Sequence, residues 1–237
     1  MSEVRAAPTG RVPAYMTELA DRVGGLAERD SSAEGSASLV RRMAKWAPPE
    51  RGGRASAVLI LIADSDGQPD VLLIQKAAML RNHAGQPAFP GGAAEPADAD
   101  LSATALREAA EEVGLDPAGV SVLATLPVLY LAPSGYIVTP ILGYWHTPGP
   151  VRVNDPGEVA SVARVPIAEL ADPENRFQVR HPSGYVGPAF GVSGMVVWGF
   201  TAGLLSMMLE LGGWARPWNS SQVRDLEIPA EVPAILP

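Results

Sequence analysis

The chain has 237 residues, 47% apolar content and a formal net charge of −8, enough to bury a sizeable core in one large domain or two small ones. The acid is spread along the chain and no basic run exceeds the pair Arg41–Arg42, which argues against a nucleic-acid groove. The lack of cysteine excludes disulfides, thiol nucleophiles and cysteine-ligated zinc. The longest apolar run, Ala55–Ala63, is too short to span a bilayer, and the N-terminus has no apolar leader. No membrane partner is expected, and the expected location is cytoplasmic.

Residues Ala14 to Lys45 read as helix in two pieces, broken at Arg29–Ser38, and Trp46–Arg54 reads as a Pro/Gly linker. Ser56–Asp64 and Asp70–Lys76 are short apolar, β-branched runs around a turn, which predicts paired strands. Arg81–Gly92 reads as loop with a short strand. Asp100–Val113 reads as helix, with Asp98 or Asp100 as N-cap and Gly114 at the left-handed position after its end. Val120–Leu131 and Tyr136–Trp145 are predicted strands, followed by a strand at Glu158–Pro166 and a short helix at Ile167–Pro173. Gly194–Leu211 is mostly apolar and reads as a buried helix, and the proline-punctuated end reads as extended, wrapping a neighbour. The tetrapeptide Pro-Ser-Gly-Tyr occurs at Pro133–Tyr136 and Pro182–Tyr185 and reads as two similar turns entering strands. The order predicts an α/β (α+β) domain, a mixed β-sheet sandwiched between α-helices. The expected division is a helical extension and linker over 1–54, a main domain over 55–211 and a tail over 212–237.

The segment around Arg107-Glu108-Ala109-Ala110-Glu111-Glu112 crowds charge. At roughly 100° per residue, Glu108, Glu111 and Glu112 share one face, while Leu106, Ala109 and Val113 point to the other. Like charges four residues apart destabilise an isolated helix by about 0.2–0.5 kcal/mol, so loss of one carboxylate should relieve the helix. Arg107 can offset one charge, and no lysine lies between Asp98 and Asp116. Clustered carboxylates without a basic partner fit a hard divalent cation shared with substrate phosphates, and the neighbouring Gly91–Gly92 pair lets backbone approach the same ion.

These residues resemble the Nudix box, G-x5-E-x7-R-E-U-x-E-E-x-G-U with U aliphatic, and they imply the Nudix fold and its chemistry. Gly92 and Arg107 through Leu115 match, while Asp98 stands where Glu is expected and one extra residue separates it from Arg107. The resemblance implies Glu111 and Glu112 as metal ligands, Glu108 as ligand or base, Arg107 as an orienting cation and the carbonyl of Gly91 as a further ligand. Glu158 is the candidate for an added acidic ligand. Mg²⁺ or Mn²⁺ would neutralise a pyrophosphate and lower the pKa of a bound water, which attacks phosphorus.

The upstream run Leu72–Gly92 resembles the motif of the coenzyme A pyrophosphatase branch, L-L-T-x-[TR]-[SA]-x3-R-x3-G-x3-F-P-G-G. Leu72, Leu73, Ala77, Arg81, Gly85 and Phe89 through Gly92 match, whereas Ile74 and Lys76 depart. Val196–Leu205 also resembles that branch. Arg81, Lys76 and His83 are the candidate substrate-binding residues, suited to the phosphates of coenzyme A. The implied partner is a small-molecule nucleoside diphosphate derivative, and a homodimer is allowed.

Overall fold

The computed structural model describes residues 12–28, 52–65, 67–80, 84–131 and 134–226. The second N-terminal helical piece and the end of the tail lie outside them. Helix α1 spans Ala14–Glu28, and two long strands follow, β1 (Arg54–Ser65) and β2 (Gln68–Lys76). They pair antiparallel through Ile62↔Val71, as the two apolar runs around a turn predict. Short strands β3 (Pro87–Ala88) and β4 (Gly91–Ala93) add to β2 and β1. Helix α2 (Leu101–Val113) is followed by β5 (Val120–Thr125), β6 (Leu129–Leu131), β7 (Tyr136–Trp145) and β8 (Val159–Pro166). Strand β7 runs parallel to β1, and the other pairs are antiparallel, so the eight-stranded sheet is mixed.

Residue parity along β1 and β2 explains the layers. Ile60, Ile62, Val71 and Leu73 face one side and meet Met16, Leu19 and Val23 of α1. Leu59, Leu61, Leu72 and Ile74 face the other and meet Ala105, Ala109 and Val113 of α2. One helix layer thus covers each face, which is the expected sandwich. Helix α1 is further fixed where the Tyr15 hydroxyl donates to Asp64 at 3.0 Å.

Two expectations are corrected. The run Val120–Leu131 is two strands, because Pro127 has no N–H to donate and Pro140, next in register opposite Leu126, accepts the Leu126 N–H at 2.9 Å but has no N–H to return. The apolar run Gly194–Leu211 begins as β11 (Met195–Val197) and turns at Gly199, φ +63°, into α4 (Gly199–Leu211). The described part of the tail adds β12 (Val223–Asp225) parallel to β9 of its own chain. Strands β9 (Arg176–Arg180) and β10 (Val186–Val192) form with β11 and β12 a second sheet absent from the sequence reading. The second Pro-Ser-Gly-Tyr is the turn between β9 and β10, and the short helix α3 (Ile167–Ala171) lies where expected.

Leu19 of α1 is fully buried in the main cluster. We propose that α1 unfolds together with the sheet it covers. Leu19→Ala should lower stability by about 3 kcal/mol, with urea unfolding still a single transition. A separate low-stability transition for α1 would refute that.

Candidate active site

Helix α2 is built to hold its charged face still. The Asp100 carboxylate accepts from the Ala103 N–H at 2.8 Å, and Gly114, φ +69°, closes the last turn with its N–H on the Ala110 carbonyl at 3.0 Å. The loop after β7 binds the same end: Asn154 N–H donates to the Glu112 carbonyl at 2.9 Å and Arg152 N–H to that of Val113 at 3.1 Å. That loop leads directly to Glu158.

Glu112 is 2% exposed. Its carboxylate accepts from Lys76 Nζ at 2.5 Å and from the Gly91 N–H at 3.0 Å. The idea that the helix has no basic partner beyond Arg107 is therefore corrected. Lys76 continues the β2 face that carries Leu72 and Ile74 toward α2, and the irregular register opposite it, where Gln75 meets Ser161 but Lys76 meets Val159, marks a bulge in β8. Burial pushes the Glu112 carboxyl up, opposed by Lys76 and the Gly91 N–H and reinforced by the charge of Glu158. Burial likewise pushes Glu108 up, opposed by Arg107.

Arg107 satisfies more than one charge. Its Nε and Nη2 hold Asp98 at 2.9 and 3.1 Å, and Nη2 also donates to the Ala93 carbonyl at 3.0 Å. Its Nη1 donates to Glu108 and to Glu111, each at 3.1 Å. Asp98 thus does the work of a longer carboxylate, the extra residue after it letting a shorter side chain reach the guanidinium. Asp98 also accepts from the Thr104 hydroxyl at 2.8 Å.

The Gly91–Gly92 pair has two separate reasons. A Cβ at Gly91 would collide with the Ala57 carbonyl and Val58 Cα of β1, and one at Gly92 with the Glu108 carboxylate. Gly91, Gly92, Glu108, Glu158 and Lys76 line one cleft of about 1000 Å³ that runs between the large sheet and the second sheet. Glu111 is exposed and faces Arg107, apart from that lining. Arg81 and His83 lie outside the described residues; Leu80, just before them, lines the cleft.

Among the described residues no three acidic or histidine groups converge as a ready-made metal cage. The donors nonetheless suit a hard divalent cation in kind, being carboxylate and carbonyl oxygens, and the most buried of them has already drawn in an ammonium group. The far wall of the cleft escaped the sequence reading. It carries Arg176, 5% exposed and lying 5.0 Å from the Phe190 ring and 4.7 Å from that of Trp218, together with His181, Tyr185 and Trp198. The signal was present in the alternation of Arg176, Gln178 and Arg180 with the buried Phe177 and Val179.

A profile of the Nudix domain matches residues 53–184, and the chain belongs to the Nudix family of hydrolases. The uncharacterized Nudix hydrolase NudL of Photorhabdus laumondii is 46% identical over 125 residues, covering 52% of this chain and 65% of that relative, just under two thirds of its length. NudL of Shigella boydii is 40% identical over 167 residues, 67% of this chain and 83% of the relative. Among solved structures, the Nudix hydrolase RenU of M. smegmatis superposes with a TM-score of 0.50 at 19% identity, over 73% of this chain and 98% of that one, and shares the fold. No described helix is long and apolar enough to cross a membrane.

Two outcomes follow from the geometry. The Arg107 guanidinium holds the Asp98 carboxyl well below the usual carboxylate range. A lowered folded pKa contributes stability that is present above the unfolded value of about 3.9 and lost as pH falls through the folded one. Asp98→Asn should therefore destabilise the protein at pH 7, and the gap from wild type should close in strong acid; a gap independent of pH would contradict the pairing. Glu112→Gln should lower the metal-free melting temperature, opposite to the relief expected for an isolated helix, because it leaves Lys76 facing a neutral amide. Thermal unfolding in chelator reads this directly.

Proposed function

We propose that the protein is a metal-dependent pyrophosphohydrolase that cleaves coenzyme A or its derivatives to adenosine 3′,5′-bisphosphate and 4′-phosphopantetheine products. One observation carries the reading. The box helix, the Leu72–Gly92 segment and the Val196–Leu205 segment, distant in sequence, all line the same cleft. Thr201 of α4 donates to the Pro87 carbonyl at 3.1 Å, tying the last two together. Of the matching motif residues, Leu72, Leu73 and Phe89 are buried, and the Ala77 N–H bonds the Glu158 carbonyl at 2.8 Å, so the motif also sets the position of Glu158.

Glu112, Glu111, Glu108, the Gly91 carbonyl and Glu158 would hold Mg²⁺ or Mn²⁺. When bound, such ions supply charge neutralisation at the pyrophosphate and a lowered pKa for attacking water. Glu108, half-buried beside Gly92, is placed to accept the proton of that water. The Gly91 N–H and the floor of β1 fix Glu112. Arg107 keeps Glu108 and Glu111 in place from behind. The cleft, about 1000 Å³, has the volume for a nucleotide joined to a second group, and its far wall carries the rings of Tyr185 and Trp198. Arg81 and Lys76 are the proposed readers of the substrate phosphates, with His83 beside them in sequence.

Hydrolysis of coenzyme A, dephospho-coenzyme A and ADP-ribose with Mg²⁺ or Mn²⁺ tests the reading. Coenzyme A should be cleaved best, dephospho-coenzyme A less well and ADP-ribose poorly, with Glu112→Gln nearly inactive. Arg81→Ala should reduce turnover of coenzyme A more than that of dephospho-coenzyme A. Efficient ADP-ribose cleavage beside inert coenzyme A would move the assignment to another nucleoside diphosphate derivative. Tight binding with no turnover of any of them would make this a binding module.

A further inference from the structure

The second sheet carries a pair of rings that the hydrolytic chemistry does not use. The His181 imidazole stacks on the Trp198 indole with centroids 5.2 Å apart and planes 22° from parallel. His181 is 5% exposed. Its Nδ1 accepts from the Ser183 N–H at 3.1 Å and lies 2.9 Å from the Ser183 hydroxyl, which places the ring proton on Nε2. The His181 backbone N–H donates to the Tyr185 carbonyl at 2.9 Å. Burial also pushes the imidazole pKa down, so the ring stacks in its neutral form. The imidazole is thus a fixed backing and has little freedom to follow a ligand.

Trp198 is held from two directions. It packs against the small cluster of Phe177, Val179 and Ala189, and it stands at the last extended position before Gly199, φ +63°, turns the chain into α4. The indole is only half-buried and lines the cleft, as does Tyr185. A large planar π-surface that lines the cleft and is stacked on a second ring suits another flat ring. The pantetheine arm has no such ring, and a nucleobase does.

We infer that Trp198, backed by His181, is the stacking platform for the nucleobase of the substrate. This rests on the reading of the substrate as a nucleoside diphosphate derivative but not on the identity of its second half. The site orients the nucleoside at the second sheet while the pyrophosphate lies toward Glu108 and Glu112.

The test compares Trp198→Phe, which keeps a ring, with Trp198→Leu, which keeps apolar bulk alone. Adenosine 3′,5′-bisphosphate, AMP and 4′-phosphopantetheine are titrated calorimetrically into each full-length protein with Mg²⁺. The Leu variant should bind both nucleotides about tenfold more weakly, the Phe variant should stay within about threefold of wild type, and 4′-phosphopantetheine should not distinguish them. In wild type, AMP should shift the Trp198 indole N–H resonance, assigned by its loss in Trp198→Phe, and 4′-phosphopantetheine should leave it in place. This second readout does not depend on the Leu variant folding. Equal nucleotide binding by the Leu and Phe variants, a loss confined to 4′-phosphopantetheine, an indole resonance unmoved by AMP, or no nucleotide binding by wild type would each overturn the platform. Ring-dependent AMP binding in a protein that leaves coenzyme A intact would support the platform and count against the coenzyme A reading alone.

Discussion

The close approach of the Gly91–Gly92 backbone to β1 on one side and to α2 on the other sets the geometry of the acidic corner. Gly91 lies so near the Ala57 carbonyl that no side chain fits, and its N–H points at Glu112. Gly92 leaves the space in which the Glu108 carboxylate sits. The two residues thus join the floor of the sheet to the acidic helix through backbone alone. A longer contact made by side chains would leave rotamer freedom where two carboxylates must keep a fixed spacing.

A helix with a mostly acidic face needs help to persist, and the help comes from opposite ends of the charge cluster. Arg107 spreads its fork over Asp98, Glu108 and Glu111, so the partly exposed carboxylates are bridged and the helix is sewn to the loop after β4. Lys76 serves the buried one. Because Glu112 is nearly inaccessible, the desolvation of its charge outweighs what helix neighbours can do for it, and the pairing with Lys76 across the sheet becomes the local condition for an ionised carboxylate.

The cleft is lined by both sheets, with Glu108, Glu158 and Lys76 at its acidic corner. The large sheet supplies the floor and α2 the acidic face, while the second sheet and the start of α4 supply aromatic rings and Arg176. The acidic corner and the aromatic wall therefore sit on different structural units that share one space.

Much of the acidic corner was legible in the sequence because its signals are local. The Asp100 cap, the Gly114 terminator and the four-residue spacing of Glu108 and Glu112 all act within one helix, and short apolar, β-branched runs bounded by turn residues marked β1, β2 and β7. Even the face of Lys76 follows from parity along β2. What it meets does not: Glu112 is 36 residues away, and only the packing of α2 on the sheet brings them together. The role of Asp98 likewise needed the loop that lets a short carboxylate reach Arg107. The second sheet was missed because Gly187, Pro188 and Gly191 punctuate β10 like a loop, and because β11 shares an unbroken apolar run with α4. Local pattern determines which residues belong to a face. Which faces meet is decided by long-range strand pairing and burial, and those terms appear only once the chain has closed on itself.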